Sequence, residues 1–98
     1  MAKASLLLLS GKSKNREFLL TQKLTNIGKS PVTEIGLSGY GKVSDVHTII
    51  KREKNNFILT DAESKTGTYV NDDKTRSTKL KDGDVIRIGD AQFLFKRK

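Results

Sequence analysis

Two Gly-Lys-Ser triplets, Gly28-Lys29-Ser30 and Gly11-Lys12-Ser13, offer the first chemistry in this chain. Backbone N–H groups, an ammonium and a hydroxyl in that order suit a phosphate. A nucleotide-phosphate loop also needs a glycine five residues before the Gly-Lys pair, and a helix that opens directly after it. Lys23 and Leu6 stand at the two glycine positions, and no helical repeat of apolar residues follows either triplet. The residues suit a phosphate, but not one carried by a nucleotide.

Similar residues recur in two other connections. Ser38-Gly39-Tyr40-Gly41-Lys42-Val43-Ser44 and Asp61-Ala62-Glu63-Ser64-Lys65-Thr66-Gly67, like Lys29-Ser30-Pro31-Val32-Thr33, mix lysines with hydroxyls. Gathered at one end of a fold, the three would form a pocket of cations and hydrogen-bond donors suited to a phosphate ester. Lys42, two residues before Ser44, and Lys65, beside Thr66, are placed to turn their ammonium groups toward a shared anion. Tyr40 fits two roles, stacking on a ligand or covering the edge of the core.

Catalysis and metal binding find little support. His47 has no cysteine to work with and belongs to no Ser-His-acid order. It reads as a hydrogen-bonded structural residue at a strand start. No pair of carboxylates comes with a matched base. One histidine and no cysteine make a poor zinc site. Asp82-Gly83-Asp84 lacks the twelve-residue calcium pattern and reads as a turn. The expectation is a protein that is not an enzyme, with no cofactor and no metal.

The elements that must position these groups are strands. Apolar residues come in short runs between turn residues, and no long window shows helical spacing. The runs predict strands at Ser5–Leu9, Glu17–Leu20, Leu24–Ile27, Glu34–Leu37, His47–Arg52, Phe57–Asp61, Thr68–Val70, Thr78–Leu80, Val85–Ile88 and Gln92–Phe95. Asn55-Asn56 is expected to take positive φ and close a hairpin. Asp82-Gly83 supplies a tight turn, and Gly89-Asp90 separates Ile86 and Ile88 from Phe93 and Phe95. Each of those pairs alternates with period two and points into a shared core. Many short strands at about ten-residue spacing predict an all-β sandwich or barrel. At 98 residues the chain is expected to form one domain, residues 1–98, with one modest core.

The net charge is +8. Ten Lys/Arg face four Asp/Glu in residues 1–60, and nine face seven in residues 61–98. Such a balance favours a polyanionic partner. Nucleic acid is disfavoured, because Phe18, Phe57, Phe93 and Phe95 read as core rather than as a stacking platform. Leu6-Leu7-Leu8-Leu9, the longest apolar run, is too short to cross a bilayer or to serve as an export signal, so the cytoplasm is the expected compartment.

Four pieces now stand in order: Gly28-Lys29; Ser44-Asp45-Val46-His47; Asp61-Ala62-Glu63-Ser64-Lys65-Thr66-Gly67-Thr68-Tyr69-Val70-Asn71; and Leu80-Lys81-Asp82-Gly83-Asp84-Val85-Ile86. In this order and spacing the chain resembles the forkhead-associated (FHA) domain, from Leu6 to Phe95. The resemblance implies a two-sheet sandwich of about eleven mainly antiparallel strands, whose loops at one end read phosphothreonine in a protein or peptide partner. It places Lys29 where the family usually has a phosphate-contacting arginine, Ser44 at the serine that donates to a phosphate oxygen, and Thr66 where an asparagine usually holds the ligand backbone. Gly28, His47, Gly67 and Asn71 match positions that support the loops.

The departures carry a cost. Lysine keeps the charge of arginine but loses its planar fork. A lost charge-assisted hydrogen bond is worth about 1.5–3 kcal/mol, or about ten- to a hundredfold in affinity. Threonine has one donor where asparagine has two donors and a carbonyl. Asp45, often basic in the family, repels an ester of about −1.5 to −2 charge. Weakened phosphopeptide binding is one expectation, and phosphorylation-independent protein binding is the alternative.

Overall fold

Period-two alternation sets the interior. Ile86, Ile88, Phe93 and Phe95 all turn inward and are fully buried, together with Leu6, Leu8, Ile27, Ile50, Phe57 and Leu59. Each such side chain contributes about 1.5–3 kcal/mol on leaving water. Phe57 and Phe95 meet edge to face, and Phe18 packs at the core margin against Phe93. Phe57, Phe93 and Phe95 are core, as their spacing predicts, and Phe18 is half-buried at its margin.

The computed structural model describes residues 3–11 and 14–97. Lys12 and Ser13 of the second Gly-Lys-Ser triplet, and Lys98 at the end of the chain, lie outside the described residues. Eleven strands run in order: β1 (Ala4–Leu8), β2 (Glu17–Leu19), β3 (Leu24–Gly28), β4 (Ile35–Gly36), β5 (Thr48–Glu53), β6 (Asn56–Asp61), β7 (Thr68–Val70), β8 (Asp73–Thr75), β9 (Ser77–Lys79), β10 (Val85–Ile88) and β11 (Ala91–Arg97). They form two sheets, β2-β1-β11-β10-β7-β8 and β4-β3-β5-β6-β9. Every pairing is antiparallel except β3 with β4. The fold is an all-β sandwich. No helix among the described residues is long and apolar enough to cross a membrane.

Two details differ from the sequence expectation. The β5–β6 hairpin closes through Lys54 and Asn55, and the positive φ (+57°) falls on Lys54 rather than on Asn55 or Asn56. β8 has no apolar signature, since Asp73-Lys74-Thr75 is a half-exposed edge strand. It forms because Asn71 and Asp72 both take positive φ (+51° and +71°), which closes a two-residue hairpin on β7.

The sheets bring the C-terminal ends of β3, β6 and β10 together with the N-terminal ends of β5 and β7. The connections at this end include 29–34, 37–47 and 62–67, the three hydroxyl- and lysine-bearing segments.

Candidate functional site

Each connection is fixed by hydrogen bonds to the others. At the end of β3, Lys29 and Ser30 donate their backbone N–H groups to the carbonyls of Ser44 and Asp45, both at 3.0 Å. This close approach requires Gly28, because a Cβ there would lie 2.1 Å from the Asp45 carbonyl oxygen. Thr33 folds the turn back, its hydroxyl lying 2.7 Å from the Ser30 carbonyl and 3.2 Å from that of Gly28.

His47 joins the second connection to the third. It is fully buried. Its Nδ1 accepts the Ser44 N–H at 3.0 Å, so Nε2 carries the proton and donates to the Gly67 carbonyl at 2.8 Å. Gly67 has φ +86° and receives further support from Ser64, whose Oγ accepts its N–H at 2.9 Å.

Asp61 anchors the third connection. It accepts from Ser64 Oγ (2.6 Å), Ser64 N–H (3.2 Å) and Thr68 Oγ1 (2.7 Å). Because Thr68 donates its only hydroxyl proton to Asp61, the buried Thr48 hydroxyl must donate to Thr68 (2.8 Å). The Asp-x-x-Ser-x-x-Gly-Thr spacing is thus a self-capping loop. Partial burial raises the Asp61 pKa, but the hydrogen bonds from Ser64 and Thr68, with nearby His47, outweigh it and hold the carboxyl below the ordinary aspartate value.

Two side chains close the arrangement over the top. Ser44 Oγ accepts the Lys65 N–H at 3.1 Å, which leaves its own proton free for an incoming acceptor. Thr66 Oγ1 donates to the Lys42 carbonyl at 2.9 Å, so its proton is already used inside the protein. The Lys42 N–H donates to Asp90 Oδ1 at 3.2 Å, and Gly89 (φ +59°) lies against the Lys42 carbonyl, where any Cβ would sit 2.5 Å away. Tyr40 is half-buried against the core and donates its hydroxyl to the Ser10 carbonyl at 2.6 Å, which resolves its role toward covering the core edge.

The structure therefore brings Lys29, Lys42, Ser44, Lys65 and Thr66 to one open hollow of about 520 Å3, with Asp45 on the same wall. Among the described residues the ion pairs are Lys51–Glu53 (3.3 Å) and Lys96–Glu17 (3.8 Å), so the three lysines of the hollow pair with no carboxylate. Three ammonium groups unpaired with carboxylates and one free hydroxyl proton are chemistry that suits a multiply charged anion. The described residues hold no cluster of metal-ligating side chains. Asn71 sits elsewhere: it braces the β7–β8 turn, exchanging backbone and side-chain hydrogen bonds with Val85 and donating to Asp84 at 2.9 Å.

Sequence spacing missed one residue close to the hollow. The Lys74 side chain on β8 crosses the face of Gly67, with Cε 2.8 Å from where a glycine Cβ would stand. Its only sequence signal was the Asn71-Asp72 turn that folds β8 back.

Known proteins share this frame. The FHA domain family model matches residues 25–89. The glycogen accumulation regulator GarA of Mycobacterium tuberculosis is 35% identical over 92 residues, covering 94% of this chain and 56% of GarA. The chain thus spans little more than half the length of that relative. The structure of Mycobacterium tuberculosis EmbR in complex with a low-affinity phosphopeptide matches with TM-score 0.89 at 31% identity, over 98% of this chain and 24% of that one. A structure from an analysis of phosphothreonine-dependent FHA domain interactions matches with TM-score 0.88 at 29% identity, over 96% and 95% of the two chains. By its fold, by the loops joined at one end and by the match across both, this chain belongs to the FHA domain family.

Proposed function

We propose that residues 1–98 form a single non-catalytic domain that binds phosphothreonine-containing proteins or peptides in cytoplasmic signalling. The observation that carries this reading is the hollow lined both by Lys29, which pairs with no carboxylate among the described residues, and by Ser44, whose hydroxyl proton is free. Lys29 supplies charge to the phosphate and Ser44 donates to one of its oxygens. Lys42 and Lys65 add charge from either side. Gly28, His47 and Gly67 hold the loops, and Asn71 supports them at one remove through β7. Affinity is reduced relative to relatives that carry arginine and asparagine at the Lys29 and Thr66 positions. Lys29 makes a point contact rather than a bidentate one, and the Thr66 proton is committed to Lys42.

The test is a titration with a phosphothreonine peptide library and its unphosphorylated twin, on the wild type and on Lys29→Ala. The expected result is binding to the phosphorylated set only, with at least a tenfold loss in the variant. Equal binding to both sets defeats the proposal. A second reading, phosphorylation-independent protein binding, draws on Asp45, which lines the hollow and opposes a dianion. It requires that Lys29→Ala leave partner affinity unchanged.

A further inference from the structure

The register of the six-stranded sheet places Arg87, Tyr69 and Lys74 directly opposite one another on β10, β7 and β8. They form one continuous row across the outer face. Arg87 lies over the Tyr69 ring, its guanidinium carbon 4.2 Å from the centroid. Lys74 and Tyr69 both reach Gly67, with Lys74 Cε 2.8 Å and Tyr69 Cε1 3.5 Å from the position a Cβ would take there. The Lys74 ammonium is one bond beyond that Cε. The row therefore begins beside Thr66, at the wall of the hollow, and leads away from it. Gly67 makes this continuity possible: any side chain there would displace the lysine stem and separate the row from the hollow. Arg87 and Lys74 are exposed, and neither pairs with a carboxylate among the described residues. Asp72, at the β7–β8 turn, lines a hollow of about 280 Å3 with Arg87, so the carboxylate near the row lies at its Arg87 end and not at the Lys74 stem on Gly67.

We propose that Lys74, Tyr69 and Arg87 form a second anion subsite, which takes a carboxylate or a second phosphate on the ligand chain as it leaves the hollow over Gly67. Stacked on Tyr69, Arg87 is held in place before the ligand arrives, which lowers the ordering cost of engaging an anion. Lys74 has its stem packed on Gly67 and its charge at the junction of the two subsites. The inference rests on the phosphothreonine reading of the hollow and adds a specificity to it: acidic side chains are preferred on one side of the phosphothreonine.

The experiment uses a phosphothreonine peptide with alanine flanks. Single glutamates, and in a parallel set single phosphoserines, are placed at each position within four residues on either side. Affinities are measured by fluorescence anisotropy for the wild type, Lys74→Ala, Arg87→Ala and Lys74→Glu. The expected result is a gain of about three- to tenfold for acidic residues on one side only. Lys74→Ala and Arg87→Ala should each erase most of that gain, and Arg87→Ala, which lies away from the hollow, should hold the alanine-flanked peptide within about twofold. Lys74→Glu should turn the gain into a loss. The glutamate and phosphoserine sets separate a carboxylate preference from a phosphate preference. If the alanine-flanked peptide binds and no position gains, or the gain survives Lys74→Ala and Arg87→Ala, the subsite is refuted and the hollow stands. If the alanine-flanked peptide does not bind at all, both fall.

Discussion

The two ends of the sandwich are built differently. At the end away from the hollow, β5 and β6 turn through Lys54-Asn55 and β7 and β8 through Asn71-Asp72, each in two residues. These turns are closed by positive φ, and each has a single remote brace: Arg97 donates to the Asn55 carbonyl, and Asn71 bonds the start of β10 at Asp84 and Val85. At the hollow, short local caps such as Asp61 on Ser64 are tied to one another by several residues far away in sequence: Ser44 on Lys65, His47 on Gly67, Thr66 on Lys42, Asp90 on Lys42. A locally set turn can be altered without consequence elsewhere. A loop set by remote partners transmits any change to all of them, and this interdependence holds Lys29 and Ser44 side by side.

That contrast can be broken most severely at His47. Replacement by alanine leaves the Ser44 N–H and the Gly67 carbonyl without partners and opens a cavity, at an expected loss of about 3–5 kcal/mol in urea unfolding. A loss under about 1 kcal/mol would show that the loops do not depend on this bridge.

A smaller effect is expected at Asp61. Its folded pKa lies below the ordinary aspartate value, so its contribution is complete above about pH 4 and disappears as pH falls through the folded value. Asp61→Asn should lower stability by about 1–3 kcal/mol at neutral pH. The gap between variant and wild type should close as the solution is acidified below about pH 4, as followed by unfolding at several pH values. A gap that persists unchanged at the lowest pH would assign the loss to something other than the charge.

The smallest change belongs to the far end. Lys54→Gly relieves a left-handed lysine at φ +57° and should raise stability by about 0.5 kcal/mol, with ligand affinity untouched. A shift in phosphopeptide affinity would mean that the two ends communicate after all.

This difference also explains what the sequence could reveal. The inward alternation of Ile86, Ile88, Phe93 and Phe95 follows from period two and was legible. The Asp82-Gly83 turn follows from glycine, which takes φ +91° there. β8 was not legible from hydrophobicity, because an exposed edge strand needs none, and the Asn71-Asp72 turn was its only trace. The gathering of Lys29, Ser44, Lys42, Lys65 and Thr66 around one hollow was legible, since they belong to spaced motifs. What each side chain does was not. The inward Thr66 hydroxyl depends on the Lys42 carbonyl 24 positions earlier, and Lys74 comes against Gly67, beside Thr66, only because the backbone turns back after β7.

The chain has two tyrosines and no tryptophan. Tyr40 is tied to Ser10 within the 37–47 connection, and Tyr69 lies between Gly67 and Arg87. Tyr40 thus sits on one of the connections that carry the hollow and Tyr69 on the sheet face beside Gly67, with no tryptophan to mask their emission. Intrinsic emission from this protein therefore reports on these two places alone.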